Sequence, residues 1–486
     1  MDEPIIGRKR ELKILEEVLS STSAEFIAIY GRRRIGKTYL IKKFLGRQTG
    51  VFFELTGNED ILKNQLKNFS ISLSNAFYRG AEIAVQTNWM DAFRQLNTAI
   101  ENLPKNKRIT IFLDELPWLA TKKSGFLKAL EYVWNTEWSY RKKLILVVCG
   151  SAASWMLKKI VYAKGGLHNR ITINIPLQPF TLSEVSSYLN YRGAQFNEQQ
   201  VLQLYMVMGG IPHYLKNIKK SLSVALNINE ICFQKGGLLL DEFDKLFHSL
   251  YDEPEAYIKI IRAIAKKRNG ISRDDLITTV KEVSDGGTLN LKLQSLEEAG
   301  FISTLLPLGH KRRGVHYKLI DEYSIFYLAW IEPLRQKTRI TSSSSYWLSL
   351  MNSPAWHAWA GYSFEAVCMK HVDTIKKALG LHQIQTHSGD WRYVPEKNKG
   401  AGAQIDLVFD REDDCVTLCE IKHTDKQFVI TKDYAIELEK KLLIYKERTR
   451  TKKQLIWCLI SNNGVLKNDY FKKLISNVVT LKDLFD

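Results

Sequence analysis

Eight consecutive residues, Gly31, Arg32, Arg33, Arg34, Ile35, Gly36, Lys37 and Thr38, have the spacing of a phosphate-binding loop, with an apolar run before them and an amphipathic stretch after. The chemistry follows from the residue types. Glycines let backbone N–H groups curl around phosphate oxygens, a lysine neutralises the β and γ oxygens, and a hydroxyl at the next position reaches a magnesium ion. Tyr39 closes the stretch expected to touch a nucleotide. A chance match in a basic loop does not explain the strand before it and the helix after it.

Such a loop needs acids to complete a magnesium shell and handle water. The run Arg108 to Leu113 ends in Asp114 and Glu115, a Walker B ending. Asp114 is the expected magnesium partner and Glu115 the general base that polarises the attacking water. This pair is expected on a strand neighbouring the one that leads into the loop. A third apolar run, Leu144 to Cys149, leads into Gly150 and Ser151, placing a hydroxyl where a γ-phosphate sensor would lie. Arg170 precedes a further strand, where a guanidinium can stabilise transition-state charge in its own site or in that of a neighbouring copy, that is, in a homo-oligomer. An ordinary surface arginine is the competing reading.

A second set of chemical residues lies near the other end: Glu365 on a helix, Asp406 opening an apolar strand, then Glu420 and Lys422 on the next strand. Residues two apart on a strand share a face, so Glu420 and Lys422 are expected to point together. Glu365, Asp406 and Glu420 could hold a hard cation that activates water, with Lys422 positioning the nucleophile. Chance spacing in a charged chain is the alternative. Trp356, Trp359, Tyr362 and Phe364 cluster beside Glu365 at helical spacing, which favours core over a base-stacking platform.

The elements that must position these residues follow from the pattern. Short apolar runs at Phe26–Tyr30, Val51–Leu55, Ile109–Leu113, Leu144–Cys149 and Ile171–Ile175 alternate with amphipathic stretches, as in a parallel sheet flanked by helices. After Pro179, Thr181 and Glu184 make a capping box, and helical periodicity runs to about Leu240, broken at Gly209, Gly210 and Pro212. From Pro254 to Ile320 the order is helix, Ser272-capped helix, helix to Gly300, then two strands around the basic turn 309–314. That order resembles a winged helix, although a hairpin that merely packs domains would look the same. Thr341 to Ser345 mark a linker, and from Ala355 the chain reads helix, strand, strand, helix, strand.

Together these residues resemble the archaeal-type AAA-like ATPases related to the STAND group. The resemblance covers nearly the whole chain. It rests on Pro4, Ile5, Ile6, Gly7 and Arg8 with Glu11 and Leu12, the arginine-rich loop, Asp114 and Glu115, Gly150 and Ser151, Pro179 and Phe180, and Gly209 to Pro212 with Tyr214 and Leu215. It implies an α/β fold: a P-loop NTPase parallel sheet over 1–178, a helical lid over 179–245 whose Gly-Gly-Ile-Pro segment faces the nucleotide, a winged helix over 250–335, and a C-terminal PD-(D/E)XK nuclease-like, restriction-endonuclease-like α/β domain over 350–486. Asn169 departs from the glycine that relatives place before Arg170.

Bulk properties narrow the function. A chain of 486 residues, 45% hydrophobic and 25% charged, is expected to fold into several domains. A net charge of +18 points to a polyanion such as DNA. The longest apolar runs fall short of the ~20 residues that cross a bilayer, and Met1 to Pro4 open no secretory signal, so the expected location is cytoplasmic, away from a membrane. Six cysteines without a CxxC pair, and ten histidines without HExxH, exclude a zinc ribbon and zincin chemistry, and Cys415 with Cys419 read as structural. The expectation is thus an ATP- and magnesium-dependent hydrolase acting on DNA. The alternative is a STAND-like signalling or scaffold switch whose nuclease-like domain only recognises a partner.

Overall fold

In the computed structural model, which describes residues 4–162, 169–280, 287–305, 315–336, 346–351, 353–393, 395 and 401–486, the chain divides into two units. They are Met1–Pro179 and Phe180–Asp486.

The first unit is built on β1 (Glu25–Tyr30), β2 (Val51–Thr56), β3 (Ile109–Asp114), β4 (Leu144–Gly150) and β5 (Ile173–Pro176). Each lies within two residues of its expected bounds. Lateral order is β2-β3-β4-β1-β5, and every pairing is parallel. All residues of β3 and β4 are buried, as for strands covered by helices on both faces. One helical face packs through an edge-on aromatic group: Phe69 meets Phe53, Trp89 and Phe93, and Phe93 meets Trp138.

The acid-bearing strand is not the direct neighbour of the loop-bearing strand. β4 lies between them, pairing with β1 on one side and β3 on the other. Motif spacing carries no information on lateral order, because each parallel crossover can skip a position in the sheet.

The second unit begins with helices Leu182–Tyr191, Glu198–Met208, Pro212–Leu215, Val224–Cys232 and Glu242–Leu250. The expected capping box forms between Thr181 and Glu184, and a second one joins Asn197 and Gln200. Next come helix Pro254–Ala265, β6 (Ile271–Ser272), helices Arg273–Thr279 and Gly287–Glu298, then β7 (Ile302–Leu305) and β8 (His316–Leu319). The strands form an antiparallel sheet in the order β6-β8-β7, and the Ser272 hydroxyl accepts from Asp275 N at 3.1 Å, capping the next helix. The basic turn 309–314 and the serine run 341–345 lie outside the described residues.

The rest of this unit is a mixed sheet of β9 (Thr386–Tyr393), β10 (Ala403–Arg411), β11 (Cys415–Lys422), β12 (Gln454–Ser461) and β13 (Ile475–Thr480), in the order β13-β12-β11-β10-β9. The two edge strands were not anticipated. β9 buries only Trp391 and β13 only Ile475 and Val479, so neither has the apolar run that marks a central strand. Helix Pro354–Lys370 packs on β11 and buries Trp356, Trp359 and Phe364, so this aromatic cluster is core.

The Gly-Gly-Ile-Pro segment lies flat against the start of this unit. Phe180 N donates to Gly210 O at 2.7 Å, and the Tyr205 hydroxyl donates to Phe180 O at 2.9 Å. A Cβ at Gly210 would stand 1.9 Å from Phe180 O, which is backbone and cannot turn aside. Gly210→Ala is therefore expected to lower stability by roughly 3 kcal/mol, read as a fall in the urea midpoint. Gly287→Ala, whose Cβ would meet nothing described within 4 Å, should leave the midpoint almost unmoved. Equal midpoints for the two variants would overturn the packing argument.

Candidate functional site

The loop after β1 takes backbone conformations that ordinary residues avoid. Gly31 has φ 145°, Arg34 φ 72° and Gly36 φ 94°. At Gly31 a Cβ would come within 2.3 Å of Leu177 O, so glycine is required there for space as well as conformation. Gly36 caps helix Lys37–Phe44; no side chain caps this helix, and its first turn has no acid. Its N–H groups and positive dipole end therefore suit an anion.

Lys37, 5% exposed, crosses the loop, donating to Gly31 O at 2.9 Å, Arg32 O at 2.9 Å and the Ser151 hydroxyl at 3.1 Å. Burial pushes its ammonium below the usual lysine range, while the Cys149 thiol, Glu115 and Asp114 act in the opposite direction. The Thr38 hydroxyl donates to Asp114 Oδ2 at 2.7 Å, and the Ser151 hydroxyl donates to Glu115 Oε1 at 2.7 Å. Ser151 thus accepts from the lysine and donates to the acid, joining all three strand ends. Glu115 is held in the left-handed region, at φ 48° and ψ 48°, with its N–H donating to Asp114 Oδ1 at 3.0 Å. A left-handed backbone at a non-glycine residue persists only where the surrounding structure holds it.

Other expected residues take separate places. Arg32 and Ile35 are buried and Arg33 is exposed, while the exposed Tyr39 donates its hydroxyl to Pro4 O at 3.2 Å. Arg170 is exposed in the turn ahead of β5, and none of the hydrogen bonds just described involves it. A brace that spacing did not reveal is Arg8, 5% exposed, which donates to Ile35 O at 2.9 Å and Gln178 O at 2.5 Å. It ties the loop to the chain leaving β5. In the sequence Arg8 stands only among the residues that carry the family resemblance, directly after Gly7, and in the structure its backbone is left-handed, at φ 58°.

In the second unit Asp406, Glu420 and Lys422 do come together. Asp406 Oδ2 accepts from Ile421 N at 2.9 Å, and Lys422 Nζ approaches Glu420 Oε2 at 3.4 Å. Glu420 is 1% exposed, and Lys441 Nζ donates to both of its oxygens at 2.9 Å, with the Tyr434 hydroxyl at 3.1 Å. Glu365 accepts from Lys318 Nζ at 2.8 Å. Burial raises the Glu420 and Glu365 carboxyls, Asp406 adds to the rise in both, and the lysines oppose it. Burial also disfavours the Lys441 charge, but Glu420 outweighs it and holds that ammonium above the usual range. Lys441 and Lys318 were not singled out from sequence. Lys441 was legible as a lysine on the stripe Tyr434, Leu438, Lys441 and Tyr445, of which Leu438 and Tyr445 are buried and Tyr434 partly so. Lys318 sits far away in sequence and carried no such signal.

The two centres differ as cation sites. Thr38 Oγ1 and Asp114 Oδ2 are hard oxygen donors already in contact beside an anion cradle, and they fit magnesium. Around Glu420 the oxygens are occupied by ammonium groups. Among the described residues no group of three His, Cys, Asp or Glu side chains gathers that could hold a metal ion. Cys415 and Cys419 both lie on β11. No helix among the described residues is long and apolar enough to cross a membrane.

Comparison with known proteins agrees with the first unit. Residues 5–218 match the family described as an ATPase domain predominantly from Archaea. An uncharacterized protein of Methanocaldococcus jannaschii is 25% identical over 424 residues, spanning 86% of this chain and 88% of that one. An uncharacterized ATP-binding protein of the same organism is 55% identical over 40 residues, 8% of this chain and 68% of the relative. Among solved structures, a Walker-type ATPase of Pyrococcus abyssi aligns with TM-score 0.45 at 18% identity, covering 67% of this chain and 96% of that chain. The ORC2 protein of Aeropyrum pernix, in its ADPNP–ADP complexes, aligns with TM-score 0.44 at 17% identity, covering 70% and 98%. With the cradle, the buried lysine and the acid pair in place, the family match assigns residues 5–218 of this chain to the archaeal-type P-loop ATPase domains.

Proposed function

We propose that this chain binds ATP with magnesium, hydrolyses it, and uses that cycle to control how its second unit meets DNA. The observation that carries the hydrolytic half is the hydrogen-bonded chain Lys37–Ser151–Glu115 beside the Thr38–Asp114 contact. The loop N–H groups and Lys37 would bind the β and γ phosphates, and Thr38 with Asp114 would hold the magnesium. The ion supplies charge screening to the triphosphate. Glu115 would orient and deprotonate the attacking water, with Ser151 fixing the direction of its carboxylate and reading the γ-phosphate. Arg170 is proposed to add positive charge in its own site or in that of a second copy.

For the second unit the support is element order, since the net charge of +18 is a property of the whole chain. We read Pro254–Leu319 as a winged helix and the β9–β13 sheet with its helices as a PD-(D/E)XK nuclease-like domain. Boundaries follow the expected divisions at 1–178, 179–245, 250–335 and 350–486. Two readings of its acid centre compete. In one, Asp406, Glu420, Glu365 and Lys422 cut a phosphodiester with a metal. In the other, the domain recognises its target without cutting, as in a signalling switch. The grip of Lys441 on both Glu420 oxygens favours recognition.

Steady-state turnover and nucleotide binding test the first half. Lys37→Ala should abolish measurable ATP affinity and turnover together. Glu115→Gln should keep binding while slowing turnover by roughly two to four orders of magnitude. Ser151→Ala should lose roughly one to two orders in turnover with affinity nearly unchanged, because it misdirects Glu115 without removing the cradle. Full hydrolysis by both Lys37→Ala and Glu115→Gln would refute the assignment. For the second half, the recognition reading expects DNA binding in EDTA and no Mg2+- or Mn2+-dependent cleavage. Cleavage that disappears in the Asp406→Ala, Glu420→Ala double variant would restore the cutting reading. A protein that neither binds nor cuts DNA would remove the DNA half and leave the ATPase.

A further inference from the structure

We propose that the Lys441 ammonium is a built-in counter-ion standing where a divalent cation would sit beside Asp406 and Glu420, so that the C-terminal centre takes no metal. A divalent cation binds such a centre by sharing carboxylate oxygens and keeping some of its waters. Here at least one oxygen of each carboxylate is already engaged. Both Glu420 oxygens lie 2.9 Å from Lys441 Nζ, and Oε2 also meets the Tyr434 hydroxyl and, at 3.4 Å, Lys422 Nζ. Asp406 Oδ2 is spent on the Ile421 N–H, and Glu365 on Lys318, whose side chain is 9% exposed.

Charge leads to the same conclusion. The acids Glu365, Asp406 and Glu420 already share three ammonium groups, Lys318, Lys422 and Lys441, while Glu437, 3.3 Å from Lys441, and Asp390 add further negative charge around them. A divalent ion bound to the buried Glu420 would have to stand against the Lys441 ammonium, and setting two like charges together is strongly unfavourable in a medium of low polarity. Entry of the ion would therefore require Lys441 to leave. Its stem is held by helix Lys432–Thr449, which is anchored by buried Leu438 and Tyr445. A cavity of about 500 Å³, lined in part by Arg392, Gln404, Glu437 and Lys440, opens onto Lys441 itself. The single change that would turn this centre into a cation site is loss of that one ammonium group.

The test uses full-length protein carrying Asp114→Asn, which removes the cation donor of the first unit, and follows Mn2+ uptake by the loss of the free-ion electron paramagnetic resonance signal. With Lys441 present, uptake should be the same with and without Glu420→Gln. Lys441→Met should gain an Mn2+ site that Glu420→Gln then removes, and Lys441→Gln serves as a second variant that keeps a hydrogen-bond donor. Mn2+ uptake in the Lys441-containing protein that Glu420→Gln abolishes would overturn the proposal, and this comparison needs no Lys441 variant to fold. It would also fall if both Lys441 variants, folded by near-ultraviolet circular dichroism, gained no site. DNA binding in EDTA is read separately. Its loss would sink the DNA reading and leave this one standing, whereas Glu420-dependent Mn2+ uptake with DNA binding intact would do the reverse.

Discussion

Parallel pairing keeps β1, β4 and β3 in step, with Ala28 opposite Val148 and Val148 opposite Leu113, so their carboxyl ends finish at one level. Everything at the nucleotide site depends on that register. A slip of one residue would turn each strand-end side chain to the opposite face and separate Thr38 from Asp114. With the register kept, β4 delivers Ser151 between a lysine that follows β1 and an acid that follows β3, and one hydroxyl joins both. Helices covering both faces make this arrangement stiff, since β3 and β4 are buried throughout.

The molecule places a lysine in each of its two polar centres, Lys37 buried and Lys441 partly buried, and their partners give them opposite roles. Lys37 is held by two carbonyl oxygens and a hydroxyl, all neutral, so its full positive charge remains directed at the loop. Lys441 is held by a carboxylate, which cancels its charge where it stands. The same side chain therefore makes an anion site in one place and an internal ion pair in the other. Which result occurs depends on whether the nearest oxygens are ionised.

Close backbone contact plays a comparable part at two glycine segments. Gly31 lets the loop pass under the chain leaving β5, and Gly210 lets its segment lie on Phe180. Arg8 adds a brace from the N-terminal side by binding Ile35 O and Gln178 O. At the loop, the Gly31 and Arg8 contacts hold the arginine-rich stretch as a preformed cradle, which lowers the ordering cost of binding a ligand.

By itself the sequence determined the five strands of the first sheet, the loop, the acid pair, Ser151, the two helix caps at Thr181 and Ser272, and the closeness of Glu420 and Lys422. Each of these is local: an apolar run, a capping pattern or a two-residue alternation sets it within a short window. What only the tertiary structure decided is lateral or distant. It inserted β4 between β1 and β3, added β9 and β13 at the sheet edges, and brought Lys318 to Glu365 and Lys441 to Glu420. Edge strands lack a fully apolar face, and the pairing of two residues far apart leaves no periodic trace, so neither could be read along the chain, even though the helical stripe carrying Lys441 was legible. The nature of the C-terminal centre turns on those distant lysines, and for that reason its acids alone suggested a metal site that the folded arrangement does not favour.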